Sequence, residues 1–324
     1  MLQAMMSAEV GDDVFGEDPS VIKLEEKCAR LLGMDGAVFC PSGTMTNQIG
    51  IKVLTQPYDE VIAYRGSHIY KYEGGGLAGN SNVSVRLLNG DRGRISVEEI
   101  AANINNIQDA HLPLTSVVAL ENTIVREAGS YYKLDRIAAI SQFARSKNLK
   151  MHLDGARFFN ALAETGEKAS EFGKHFDTIS ICLSKGLGAP VGSVLLYKKE
   201  FEAKARRMRK AFGGGMRQAG FLAAAGIYAL DNHINRLKED HTRAKKLGEG
   251  LKKEVWVKSL MPVDTNIVIF EVDSLSPDSI LRYLAENQIK ALAFSATEIR
   301  MVTHLDFNDA MLDKCLDVFS KFKF

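Results

Sequence analysis

The sequence has no closely spaced cysteines. Cys28, Cys40, Cys182 and Cys315 stand far apart, which excludes both a metal knuckle and the disulfide framework of a small secreted domain. They read as reduced, mostly buried thiols of a cytoplasmic protein. Neither sign of charge is in excess: 41 basic against 40 acidic residues leave a formal +1, too little to gather nucleic acid or an anionic membrane. A small molecule is the expected partner. No apolar run reaches the roughly 18 residues a membrane span needs. The opening MLQAMMSAEVGDDVFGEDPS lacks the basic-then-apolar order of a secretory signal or transit peptide. Internal repeats, low-complexity tracts and flexible linkers are missing too. So are a P-loop and a GxGxxG turn after an early strand, which argues against a nicotinamide-dependent oxidoreductase.

What is present is a chain of 324 residues, 46% hydrophobic and 25% charged, able to bury a sizeable core and long enough for two domains. Short apolar runs alternate with amphipathic stretches, the pattern of β-α units around a mostly parallel sheet. Strands are expected at 37–40, 60–63, 116–120, 150–153, 178–182 and 192–197, with helices such as 19–32 and 134–147 between them. The second helix carries Asp135 in its first turn and Arg145 and Lys147 in its last, as the helix dipole favours. After about residue 230 the character changes. A charged helix (234–253), a strand (266–272), an acid-capped helix (277–287), a strand (298–304) and a terminal helix suggest a smaller α/β domain. The expected division is a large domain over 10–232 and a small one over 233–324, with residues 1–9 beside the latter.

Three segments carry chemistry. In ISICLSKGLGAPVGS a buried-looking strand ends at Ser184 and Lys185 and a glycine-rich turn follows. A lysine with a lowered pKa can attack an aldehyde and form a Schiff base, although an isolated Ser-Lys-Gly triplet reads first as a surface lysine in a turn. In KMHLDGARF, Asp154 ends another strand, separated from Lys185 by room for one helix and one return strand. Both side chains can then reach the carboxyl edge of the sheet, where open α/β sheets bind ligands. An aspartate there can pair with a protonated pyridine nitrogen and make the ring an electron sink; alone it would more often cap a helix. In AVFCPSGTMTNQIG a strand, a turn and a helix follow one another, and the N–H groups of Gly43, Thr44 and Met45 with the Thr44 hydroxyl suit a phosphate. Together, and in this order, the three specify pyridoxal phosphate (PLP), with no metal.

With these motifs the sequence resembles the low-specificity threonine aldolases of the β-eliminating lyase group. EVGDDVFGEDPS, PSGTMTNQ, HIYKYEGGG, LENT, HLDGARFFNA, CLSKGLGAPVGS, GGGMRQAG and RMVTH carry the likeness from residue 9 to residue 304. The resemblance implies an α/β, aspartate-aminotransferase-like PLP fold. It implies Lys185 as the Schiff-base lysine, Asp154 as the pyridinium partner, and Gly43 and Thr44 on the phosphate. It implies His68 stacked on the ring and able to shuttle protons, and Arg157 and Arg300 on the substrate carboxylate, with Glu73 a further substrate contact. Lys210 and Arg217 are implied to look towards a neighbouring subunit's cofactor, so a homotetramer with shared sites is expected. The implied reaction is retro-aldol cleavage of threonine or allo-threonine to glycine and an aldehyde.

The sequence departs from that pattern at three places. Ile124 stands where the family commonly has histidine after LENT, so the proton of the substrate hydroxyl is left to His68, Glu73 or a phosphate-linked water. Phe15 stands where tyrosine is common. The Arg-Ser-Asp-Thr stretch with which most members begin is not seen, so either the start is truncated or the substrate site is incomplete. Another PLP lyase, racemase or aminotransferase of the same fold, or a catalytically impaired homologue, therefore stays open beside the aldolase reading.

Overall fold

A computed structural model describes residues 1–272 and 276–322. The chain divides into one unit of Met1–Thr123 with Tyr131–Ile234 and another of Ile124–Ser130 with Asn235–Phe324. Within the second span, 273–275 and 323–324 lie outside the described residues.

The first unit is built on a seven-stranded sheet. Its strands are β1 (Gly36–Cys40), β2 (Asp59–Tyr64), β3 (Ser84–Leu88), β4 (Leu114–Glu121), β5 (Lys150–Gly155), β6 (Thr178–Cys182) and β7 (Ser193–Tyr197). They lie in the order β1-β7-β6-β5-β4-β2-β3. β3, β2, β4, β5 and β6 run parallel, and β7 is antiparallel to both β6 and β1. All six expected strands are found within a few residues of their predicted ends. β3 was not anticipated, because it is an edge strand with a mostly part-exposed face (Ser84, Arg86) in place of an apolar run. One sheet face is filled by Val38, Val61, Ala63, Val117 and Leu195 packing with Ile49 and Ile51 of the helix Gly43–Leu54.

Local sequence explains how the first helices start and stop. Leu2–Met6 forms α1, Pro19–Leu32 α2, Gly43–Leu54 α3 and His68–Lys71 α4. Asp18 caps α2 by accepting from the Ser20 and Val21 N–H groups at 3.1 Å, with Pro19 pre-set for the first turn. Gly33 ends the helix at φ 67°, a conformation side chains resist. Asp18 also accepts from the Gly220 N–H at 2.8 Å and is fully buried. Replacing it with alanine strips a cap and leaves buried donors unmet, so Asp18→Ala is expected to cost about 2–3 kcal/mol, read as a lower midpoint in urea unfolding.

Residues 1–9 do not join the smaller unit as expected. α1 belongs to the first unit, where it packs against the helix Gly220–Asn232. Leu2 and Met6 are exposed, so the short helix offers little apolar signal of where it docks.

The second unit has β8 (Val257–Leu260), β9 (Ile267–Val272), β10 (Leu292–Ala293) and β11 (Glu298–Val302) in the order β10-β11-β9-β8, antiparallel throughout. Helices Leu237–Leu251, Pro277–Glu286 and Asp309–Lys321 contribute Leu247, Ile280, Leu312 and Phe319 to a core around buried Trp256 and Phe270. All four cysteines are free and buried, and burial pushes the Cys28 and Cys40 thiols up to about 12, which makes them inert. Among the described residues no helix is long and apolar enough to cross a membrane.

Candidate active site

Parallel pairing of β5 with β6 places Asp154 opposite Ser180 and brings the turn after Cys182 to the same sheet edge. Asp154 is 2% exposed. It accepts hydrogen bonds from Asn47 Nδ2 at 3.0 Å and the Ala156 N–H at 3.2 Å. No lysine or arginine is ion-paired with it among the described residues. Burial, reinforced by the nearby Glu73 carboxylate, pushes its pKa up to about 6, against the pull of His68, the Ala156 N–H and Asn47.

His68 opens α4 and is half-buried. Its Nδ1 lies 3.0 Å from Glu73 Oε1, and its backbone N–H donates to Glu121 at the end of β4. The Glu73 hydrogen bond holds the imidazole pKa above its ordinary value, against desolvation and helped by the charges of Asp154, Glu73 and Glu121. His68, Glu73 and Asp154 present atoms all within 4.8 Å of one another.

Glu73 itself is fully committed. Oε1 accepts from Asn47 Nδ2 at 2.8 Å and faces His68, while Oε2 accepts from Gln48 Nε2 at 2.6 Å. Glu73 so placed braces His68 and the two amides of α3, and its expected contact with substrate stays an expectation. Asn47, Gln48 and His152, which hold this group together, were not singled out from sequence. The signal was there in spacing: His152 and Asp154 are two apart and share a face of β5, and both amides lie in the first turns of the helix already marked by PSGTMTNQ.

The opposite side of the site is the exposed start of α3. Ser42 caps it by accepting from the Met45 N–H at 3.2 Å, and the Gly43 and Thr44 N–H groups precede any intrahelical acceptor. A Cβ on Gly43 would stand 2.5 Å from Cys182 Sγ. The helix start is therefore pressed against the end of β6, three residues from Lys185. Lys185 is exposed on its turn. Burial raises the Cys182 thiol pKa, opposed by the hydrogen bond that Ser193 Oγ donates to it at 3.2 Å, and the charges of Asp154, Lys185 and Arg157 act on the thiol as well. Arg157 is half-buried at the start of the helix Phe158–Thr165.

Three predicted residues make their described contacts with other groups. Arg300 is on β11 of the second unit, its guanidinium 5.1 Å from the Phe294 ring centre. Lys210 is exposed and lines a cavity of about 430 Å³ with Asp13, Phe15 and Arg206. Arg217 pairs with Asp12 at 2.6 Å. Ile124 is fully buried, donating its N–H to the Ser130 carbonyl at 2.7 Å.

The arrangement offers an acid-lined end, formed by Asp154, Glu73 and Glu121 with His68, that suits a cationic ring atom. It offers outward N–H groups at a helix start that suit an anion. A primary amine lies on the turn between them.

The family described as beta-eliminating lyase matches residues 1–275. The low specificity L-threonine aldolase of Escherichia coli K12 is 37% identical over 96% of this chain and 92% of its own length. Two solved structures share the fold: a threonine aldolase of Leishmania major and a histidinol-phosphate aminotransferase of Clostridium acetobutylicum. The first has TM-score 0.84 at 21% identity, over 99% of this chain and 94% of that one. The second has TM-score 0.71 at 18% identity, over 98% and 94%.

Proposed function

This chain belongs to the beta-eliminating lyase family, and from that premise we propose that it is a PLP-dependent aldehyde-lyase cleaving threonine or allo-threonine to glycine and acetaldehyde. The observation that carries this reading is the buried Asp154 carboxylate at the end of β5. Among the described residues no lysine or arginine is ion-paired with it, and its strand pairs with β6, which leads into the turn that presents Lys185.

The residues fit the cofactor at both ends. Asp154, with Glu73 and Glu121 behind it, suits a protonated pyridine nitrogen, and the Gly43 and Thr44 N–H groups suit the phosphate. Lys185 supplies the primary amine. When bound, PLP provides the sink for the electron pair released as the Cα–Cβ bond breaks.

The protein does the rest by position and charge. Asp154 in its ionised form would hold a proton on the ring nitrogen of the bound cofactor. Arg157 offers a planar fork for the substrate carboxylate, fixing which bond at Cα is presented for cleavage; Arg300 is carried for the same carboxylate on the resemblance alone. His68 is our choice for the proton of the β-hydroxyl, since Ile124 has no group to take it and Glu73 is occupied. With Glu73 accepting from Nδ1–H, neutral His68 keeps its lone pair on Nε2. That form grows as pH rises through a pKa held above the ordinary value.

We extend the reading to a cytoplasmic homotetramer, with Lys210 and Arg217 serving a neighbouring subunit. Supporting it is the resemblance that assigns Lys210 and Arg217 this role, together with the exposure of Leu2, Met6 and Phe15 on the first unit.

The test is steady-state cleavage of the four threonine stereoisomers with PLP supplied. Acetaldehyde and glycine in equal amounts from at least one isomer are expected. A keto acid or an epimerised amino acid in their place would favour the aminotransferase or racemase alternative, and bound PLP without turnover would mark an impaired homologue.

A further inference from the structure

Asp154 and Glu73 are buried acids that meet at one nitrogen. Asn47 Nδ2 donates one hydrogen to Glu73 Oε1 at 2.8 Å and the other to Asp154 Oδ2 at 3.0 Å. On its other side, Asn47 Oδ1 lies 3.2 Å from His152 Nε2, and His152 Nδ1 lies 2.9 Å from Thr178 Oγ1. His152 has no exposed surface, and burial pulls its pKa down to about 3, so the ring carries a single proton. An amide oxygen only accepts, so that proton is on Nε2, and the Thr178 hydroxyl donates to Nδ1. The reversed amide would aim its oxygen at two carboxylates. Every atom in the chain Thr178, His152, Asn47, Asp154 therefore has one compatible role. Gly50, one turn beyond Asn47, makes the space: a Cβ there would lie 2.6 Å from His152 Cε1.

We propose that Asn47 is a positioning residue that keeps Asp154 ionised and aimed, and that His152 and Thr178 serve to fix which way its amide faces. Glu73 would keep two donors without Asn47, namely Gln48 and His68. Asp154 would keep, among the described residues, the Ala156 N–H alone. Two close carboxylates that lose their shared donor tend to share a proton instead, and the less supported one, Asp154, takes it. The other groups facing Asp154 do not replace the amide. Glu73 repels its charge, His68 on α4 favours the ionised form only while its own imidazole is protonated, and Cys182 on β6 stays a neutral thiol. The consequence for catalysis rests on the PLP reading, because only an ionised Asp154 can hold a proton on the ring nitrogen; the protonation of Asp154 itself does not rest on it.

The experiment follows the carboxyl carbon of Asp154 by NMR against pH in full-length, aspartate-labelled protein without PLP, the signal being identified by its loss in Asp154→Asn. Asn47→Leu is expected to raise the Asp154 midpoint by about one pH unit, the effect of losing one hydrogen bond to a charged group. Thr178→Val, isosteric and β-branched on a strand, keeps the fold and is expected to move it the same way by less. His152→Gln, which retains an amide donor, should lie near wild type. PLP dissociation constants should weaken about tenfold in Asn47→Leu at pH 5, where a one-unit rise from a midpoint near 6 cuts the ionised fraction by about that factor, less in Thr178→Val, and little in either at pH 8. An unchanged or lowered midpoint in folded Asn47→Leu overturns the proposal. If that variant does not fold, an unchanged midpoint in Thr178→Val does so. A shift in Asn47→Leu with none in Thr178→Val removes the His152 and Thr178 half. Failure of the wild-type protein to bind PLP would refute the cofactor reading while the titration still decides the role of Asn47.

Discussion

Lys185→Ala is expected to lower threonine cleavage by at least about 10⁴-fold, as removal of a covalent catalytic group does. The substitution takes away the one primary amine on the turn between the Asp154 end of the site and the start of α3. It should do little to the fold, since Lys185 is exposed. The phosphate and pyridine ends of the site remain, so PLP should still bind, reversibly and with the visible spectrum of an unattached aldehyde. Acetaldehyde release and the spectrum of the PLP-loaded variant measure both effects. Cleavage at near wild-type rate would remove Lys185, and with it the assignment of the reaction.

Asp154→Asn is expected to move activity and stability in opposite directions. Loss of the charge facing the ring nitrogen should reduce kcat/KM by about 10³-fold, the scale of a preorganised electrostatic contact. The ligand-free variant should nevertheless be more stable than wild type at pH 8 by about 2 kcal/mol. The sign follows from the two pKa values. Unfolded aspartate ionises near 3.9, whereas Asp154 in the folded chain ionises near 6. Between them the native state holds a proton that the unfolded chain has released, so wild-type stability falls as pH rises from about 4 to about 6 and stays lower above it. Asparagine has no such loss, and lost attraction to His68 trims the gain. Urea unfolding at several pH values should show the two proteins converging as pH is lowered towards 4. PLP should stabilise wild type more than the variant at pH 8. A variant less stable than wild type at pH 8 would mean the buried carboxylate is better satisfied than its surroundings indicate.

Much of the parallel sheet was legible because its strands are buried on both faces and read as short apolar runs. β3 was not, since an edge strand has no such run, and neither was the docking of α1, whose large side chains face outward. In the site, Lys185, Asp154 and the start of α3 were legible because each ends or begins a regular element, where chemistry-bearing side chains break the apolar pattern. For Glu73 the sequence gives its loop but not its partners Asn47, Gln48 and His68, which only the structure brings to it. His152 passed as one more residue of a buried strand.

The sequence by itself determined the family, the α/β class and the ends of the sheet at which Lys185 and Asp154 stand, since these follow from periodicity and from motifs spread along the chain. Only the tertiary structure decided which groups share a proton. That depends on distances between α3, α4, β5 and β6, far apart in the chain. Packing sets them within a few ångströms, and in a buried site such a difference decides whether a carboxylate is ionised, bridged or protonated.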